Sequence, residues 1–140
     1  MGSVRQQINI AAGARKVWWS FTTQEGLSGW LAKEARSDSR PGGRVVLTDI
    51  GEGGELGSVS GVFLTLRPTR KIEMSFDRSD DSIFGGTQLA VQIATDSGET
   101  RISLVHRGAG ESFEDEEEAA LLSKQWKGAL KRLRKLLESQ

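Results

Sequence analysis

Leu122, Trp126, Ala129, Leu133 and Leu136 recur at intervals of four, three, four and three near the end of a 140-residue chain. Leu130 and Leu137 widen the same stripe. The spacing predicts one amphipathic helix of about 24 residues, roughly 36 Å long at 1.5 Å per residue. Ser112 followed by Asp115 predicts a capping box at its start. An apolar stripe of that length must be covered, and the rest of the chain offers mainly strands to cover it.

Those strands are read from period-two alternation. Val4–Ile10 places Val4, Gln6, Ile8 and Ile10 on one face. Further strands are predicted at Lys33–Ser37, Arg44–Ile50, Ser58–Arg67, Lys71–Asp77, Thr87–Thr95 and Thr100–Arg107. Ile72, Met74 and Phe76 alternate cleanly, as do Leu89, Val91 and Ile93, and Ile102, Leu104 and His106. Such alternation belongs to an antiparallel sheet with one wet and one buried face. Ser58–Leu66 carries apolar residues on both faces, so its pattern selects no inward side. Between the first two strands the period changes. Ala14, Val17, Trp18 and Phe21 predict a helix over Ala14–Thr22, and Leu27, Trp30 and Leu31 anchor a second over Gln24–Leu31. Twelve of the 17 glycines fall between Gly42 and Gly110, which places the turns. Pro41-Gly42 has the type II signature, and Asp96-Ser97-Gly98-Glu99 is short enough for a hairpin.

Composition narrows the chemistry. Nineteen Lys and Arg balance 19 Asp and Glu, which argues against nucleic acid as a partner. There is no cysteine, so thiol nucleophiles, disulfides and zinc fingers are excluded. His106 is the only histidine, too few for an ordinary transition-metal site, and no GxSxG elbow accompanies it. We expect no metal and no cofactor. No apolar run approaches the 18 or so residues of a membrane span. The opening MGSVRQQINI lacks a signal-peptide core, and Gln6 stands where a myristoylation motif has Ser or Thr. A cytoplasmic protein of one domain, residues 1–140, is expected.

Several segments invite a functional reading and have a plainer one. Six acids in Glu111–Glu118 and six bases in Lys124–Lys135 complement the helix macrodipole, and we read them so rather than as docking patches. Gly51-Glu52-Gly53-Gly54-Glu55 lacks the phosphate-binding motifs, and its two glutamates repel an anion, so it reads as an inter-strand loop. His106 shares a face with Ile102 and Leu104 and is expected to point inward as a hydrogen-bonded packing residue. Glu73 lies opposite the Ile72/Met74/Phe76 face and is expected in solvent. Trp18 is expected in the core and Trp19 partly exposed. Trp30 and Trp126 suit both core packing and the wall of a cavity, since an indole offers a large apolar face and one donor. Gly128 is expected to let the last helix approach the sheet.

The order strand, two short helices, six strands and a long helix combines with particular residues. They are Ala14…Val17-Trp18…Phe21-Thr22, Leu27…Trp30-Leu31, Arg40-Pro41-Gly42-Gly43, Gly57…Gly61-Val62-Phe63…Leu66-Arg67-Pro68…Ile72…Met74…Phe76, Thr100-Arg101…Leu104…His106 and Trp126…Leu130…Leu133…Leu137. In this combination the chain resembles the START-like (SRPBCC) superfamily and, within it, the family of activators of the heat-shock protein 90 ATPase. The resemblance implies an α+β helix-grip fold: a curved seven-stranded antiparallel sheet wrapped around the C-terminal helix, often enclosing a cavity. Relatives bind lipids, sterols, aromatic polyketides or plant hormones, and a few catalyse cyclisation. Eukaryotic chaperone activators carry an additional N-terminal domain that this sequence lacks, which lowers the expectation of ATPase activation. Ala12-Gly13 stands where relatives often have prolines, and Phe76 where many have Trp.

The leading expectation is therefore non-enzymatic binding of a small hydrophobic ligand between sheet and terminal helix. Its lining residues would be Trp30, Phe63, Met74, Phe76, His106, Leu122 and Trp126. The alternative is a protein-interaction module with a filled core. A cavity-borne enzyme ranks third, because acid/base sets are so poorly supplied. A packed interior selects the alternative.

Overall fold

The computed structural model describes residues 3–108 and 116–139. Strand β1 (Ser3–Ile10) leads through helices α1 (Ala14–Thr22) and α2 (Gln24–Ser28) to β2 (Ala32–Ser37). Then follow β3 (Arg44–Ile50), β4 (Val59–Arg67), β5 (Lys71–Phe76), β6 (Gln88–Asp96), β7 (Glu99–Arg107) and α3 (Glu116–Glu138). The seven strands form one curved sheet in the order β1-β7-β6-β5-β4-β3-β2, with every neighbouring pair antiparallel. β1 and β2 hold opposite edges, so α1 and α2 carry the chain from one edge to the other. This is the helix-grip architecture that the sequence suggests. The capping-box residues Ser112 and Asp115 lie outside the described residues.

Alternation decides which side chains enter the core. Ile72, Met74 and Phe76 of β5, Leu89, Val91 and Ile93 of β6, and Ile102, Leu104 and His106 of β7 are all buried. From α3 come Leu122, Trp126, Ala129, Leu130, Leu133 and Leu137. Each fully buried leucine stabilises the fold by roughly 1.5–3 kcal/mol relative to exposure. Leu136 is only half-buried and rests beside Gly29 at the end of α2. A strict four-three repeat drifts about 20° per heptad against a 3.6-residue helix. By the last turn the inward position has passed from 136 to 137.

β4 shows why its pattern was ambiguous. Val59, Gly61 and Phe63 face inward, and the register with β5 then shifts between Phe63 and Thr65. Leu64 is pushed outward, 47% exposed, while Leu66 packs against the core. A bulge swaps the parity of the strand, so both faces need apolar residues at different points.

The turns follow their residues. Gly42 has φ +80°, and Gly43 N–H donates to Arg40 O at 2.8 Å, as a type II turn requires. Ser97 (φ +53°) and Gly98 (φ +86°) form the two-residue β6–β7 hairpin turn, with Asp96 paired to Glu99.

The early helices differ in detail from expectation. α2 stops at Ser28 rather than Leu31, with Thr23 Oγ1 accepting from Gly26 N–H at its start. Trp30 and Leu31 are nevertheless buried. A Cβ on Gly26 would sit 2.2 Å from Trp19 O, so glycine here lets α2 abut α1. Trp18 is half-buried like Trp19, since the inward face of α1 is Val17, Ser20 and Phe21. Glu73 is also only half-exposed, its carboxylate 3.9 Å from Lys71 Nζ.

Candidate functional site

The chemistry-bearing side chains of the interior meet between α3 and the end of β7. His106 is fully buried, opposite Leu89 on β6 and Val4 on β1. Trp126 Nε1–H donates to His106 Nδ1 at 3.0 Å. An indole N–H can only donate, so Nδ1 carries no proton and the neutral imidazole holds its hydrogen on Nε2. Nε2 lies 2.7 Å from Thr87 Oγ1 and donates to it, while the Thr87 hydroxyl donates to the carbonyl of Phe84. Burial pushes the imidazole pKa down from 6.5 to about 3, in keeping with its role as an acceptor.

Aromatic rings surround this relay. Phe84 enters from the segment between β5 and β6 and is 1% exposed. Its ring centroid is 4.6 Å from His106, 5.5 Å from Phe76 and 5.6 Å from Trp126. Trp126 continues to Trp30 at 6.5 Å, and Trp30 to Phe21 at 5.0 Å in an edge-on contact. Trp30 Nε1–H is satisfied by Ser20 O. Ring-to-ring contact therefore runs from α1 to the β5–β6 segment.

Of the seven expected lining residues, Trp30, Phe76, His106 and Trp126 belong to this ring network. Met74 lies two residues from Phe76 on the same face of β5 and pairs with Phe63 across β4. Leu122 borders a cavity of about 10 Å³ together with Phe84, Trp126, Leu31 and Ile50. That volume is room for at most one water. Among the described residues, no buried side-chain nitrogen or oxygen lacks a hydrogen-bond partner. The residue that sequence reasoning missed is Phe84. Its signal was the apolar pair Ile83-Phe84 inside the otherwise polar stretch Arg78–Gly86.

The site is built for packing and hydrogen bonding. Its polar groups, one neutral imidazole, one hydroxyl and two indole N–H groups, are spent on one another and on backbone carbonyls. Among the described residues no group of three His, Cys, Asp or Glu could hold a metal, and no helix is long and apolar enough to cross a membrane. The glycine-rich loop does bind an anion, but the anion is its own. The Glu55 carboxylate accepts from Gly53 N–H at 2.7 Å, and hydrogen bonds from backbone N–H groups, its own first and that of Gly53 next, hold its pKa below the usual value.

Residues 11–138 match the family described as Activator of Hsp90 ATPase homolog 1-like protein. The chain belongs to this family. The match begins after β1, yet β1 completes the sheet by pairing with β7 along its whole length. Among solved structures, the Aha1 dimer from Colwellia psychrerythraea is similar at 21% identity and TM-score 0.78, covering 99% of this chain and 97% of that one. A Mesorhizobium loti protein is similar at 15% identity and TM-score 0.81, covering 99% and 98%. CalU16 from Micromonospora echinospora is similar at 21% identity and TM-score 0.71, covering 94% and 73%. At such identities the likeness establishes the fold. A search among curated proteins found no match.

Proposed function

We propose that this member of the family is a one-domain binding module that works through its surface, with a filled core. One observation carries the reading: the Phe84 ring packs against Trp126, His106 and Phe76, and the cavity it borders with Leu122 and Trp126 under α3 measures about 10 Å³. Small-molecule sites generally enclose about 300–1,000 Å³. Among the described residues the buried side-chain polar groups also have partners already, so none of these is left to orient a ligand. The family's own description, activation of an ATPase, is a protein–protein role and agrees with this.

A second reading has an observation of its own. Phe84 rides on an inter-strand segment rather than a strand, anchored by Ser82 Oγ–H to Leu56 O and by Thr87 to the Phe84 carbonyl. A small aromatic ligand would then take the place of that ring, against the expected lining residues.

Tryptophan emission separates the two. Wild-type protein is titrated with a panel of aromatic and fatty compounds, beside Phe84→Ala. The variant loses about 3–5 kcal/mol of stability and opens a void of one ring, so benzene or indole should bind it. Wild-type emission should not change saturably. A saturable micromolar response in wild type that raises the melting temperature and disappears in Trp126→Phe would establish the second reading instead.

A further inference from the structure

We propose that the solvent face of α3 is a docking surface for an acidic peptide segment of a protein partner. The proposal rests on the surface-binding reading above and names where that surface lies. Lys124, Lys127, Lys131, Arg134 and Lys135 are all exposed, on the side of the helix away from Leu122, Trp126 and Leu133. At 1.5 Å per residue they span about 16 Å. The macrodipole does not account for them. Its field decays within the terminal turn, which reaches Lys135 and leaves Lys124, Lys127 and Lys131 unexplained. Among the described residues none of the four lysines forms an ion pair, and Arg134 donates to the Asn9 carbonyl. The four lysine charges are thus free to meet an outside anion.

Their arrangement selects the kind of anion. The stripe is bounded by Glu116 and Glu117 at one end and Glu138 at the other. A nucleic-acid duplex, with a charge about every 1.7 Å, would run past the lysines into those acids. The stripe carries no aromatic side chain on which single-stranded bases could stack. A membrane-surface helix needs a free apolar face, and the apolar face of α3 is buried against the sheet. Among the described residues of α3, Leu121, 53% exposed, is the one large apolar side chain in solvent, beside the basic end nearest the N-terminus. The fit is a short segment with carboxylates repeating every three to four residues and one apolar side chain at its end.

The test is fluorescence anisotropy of the full chain with a labelled helical peptide of about twelve residues, matching the ~16 Å stripe. It carries Glu at three- and four-residue spacing and a terminal Leu. Binding should be saturable at low salt and weaken at physiological salt, because exposed charges are screened. A peptide of the same composition with its carboxylates spread around the helix should bind less tightly. Lys124→Glu/Lys127→Glu/Lys131→Glu should lose about tenfold or more in affinity. Arg67→Glu/Arg70→Glu/Arg101→Glu changes net charge equally at exposed sites on other elements and should bind as wild type does. Near-ultraviolet dichroism checks each fold, and the triple Lys→Gln variant replaces the reversal if that one misfolds. Equal loss in both arginine and lysine variants would overturn the proposal, as would tighter binding of phosphatidylserine vesicles or a DNA duplex through the same lysines. Either result leaves the surface reading standing, whereas a saturable small-ligand response of wild-type tryptophans would remove it.

Discussion

Protonating His106 would break the bond it accepts from Trp126 and place a charge among Phe76, Phe84 and Trp126. The folded pKa of about 3 lies below the unfolded value of 6.5, so the unfolded state takes up the proton first. Stability from this residue is complete above pH 6.5 and falls as the pH drops from there towards 3. Linkage gives a loss of about 2 kcal/mol between about pH 7.5 and about pH 5. Denaturant midpoints at the two pH values measure it. His106→Gln, which keeps an acceptor for Trp126 but does not titrate, should flatten the difference. Glu55, whose pKa is lowered from 4.5, acts only below that window. The inward aim of His106 was legible from its alternation with Ile102 and Leu104. Its partners were not, because Trp126 and Thr87 lie 20 and 19 residues away on other parts of the chain.

At the scale of elements, the long helix was legible almost to its length, since apolar periodicity is a local property. The role expected of Gly128 was wrong. A Cβ there would meet only Arg132 Nη1, at 3.7 Å, so the position makes no close approach to the sheet. Glycine merely weakens the helix, and Gly128→Ala should stabilise the protein by about 0.5–1 kcal/mol. Thermal or chemical unfolding of the single variant reads this directly, and destabilisation would show that the glycine is needed. The Leu136/Leu137 exchange and the β4 bulge have a common lesson. Each is a small phase error that accumulates along an element, and only packing against a neighbour reveals which residue ends up inside.

For the whole molecule, α3 supplies six buried side chains to the concave face of the sheet. It also supplies the donor to His106, joins the edge strand through Gln6 Nε2–H to Ser123 Oγ, and accepts at Glu138 from Ala11 N–H just after that strand. Deleting the residues after Gly110 should therefore abolish cooperative unfolding, because no other described element is long and apolar enough to cover that face. A truncated chain that melts sharply with native-like near-ultraviolet dichroism would contradict this.

The sequence by itself determined the elements, their order and the inward faces of most strands, while the helix-grip architecture followed from its resemblance to the START-like superfamily. The elements and faces depend on periods of two and 3.6 and on turn residues, all encoded within a few neighbouring positions. Only the tertiary structure shows how closely the interior side chains pack. That depends on volume, and volume is contributed by side chains brought together from α1, β5, β7, α3 and the β5–β6 segment. The seven expected lining residues are all buried. One phenylalanine, arriving from a polar loop, packs its ring against three of them, Phe76, His106 and Trp126.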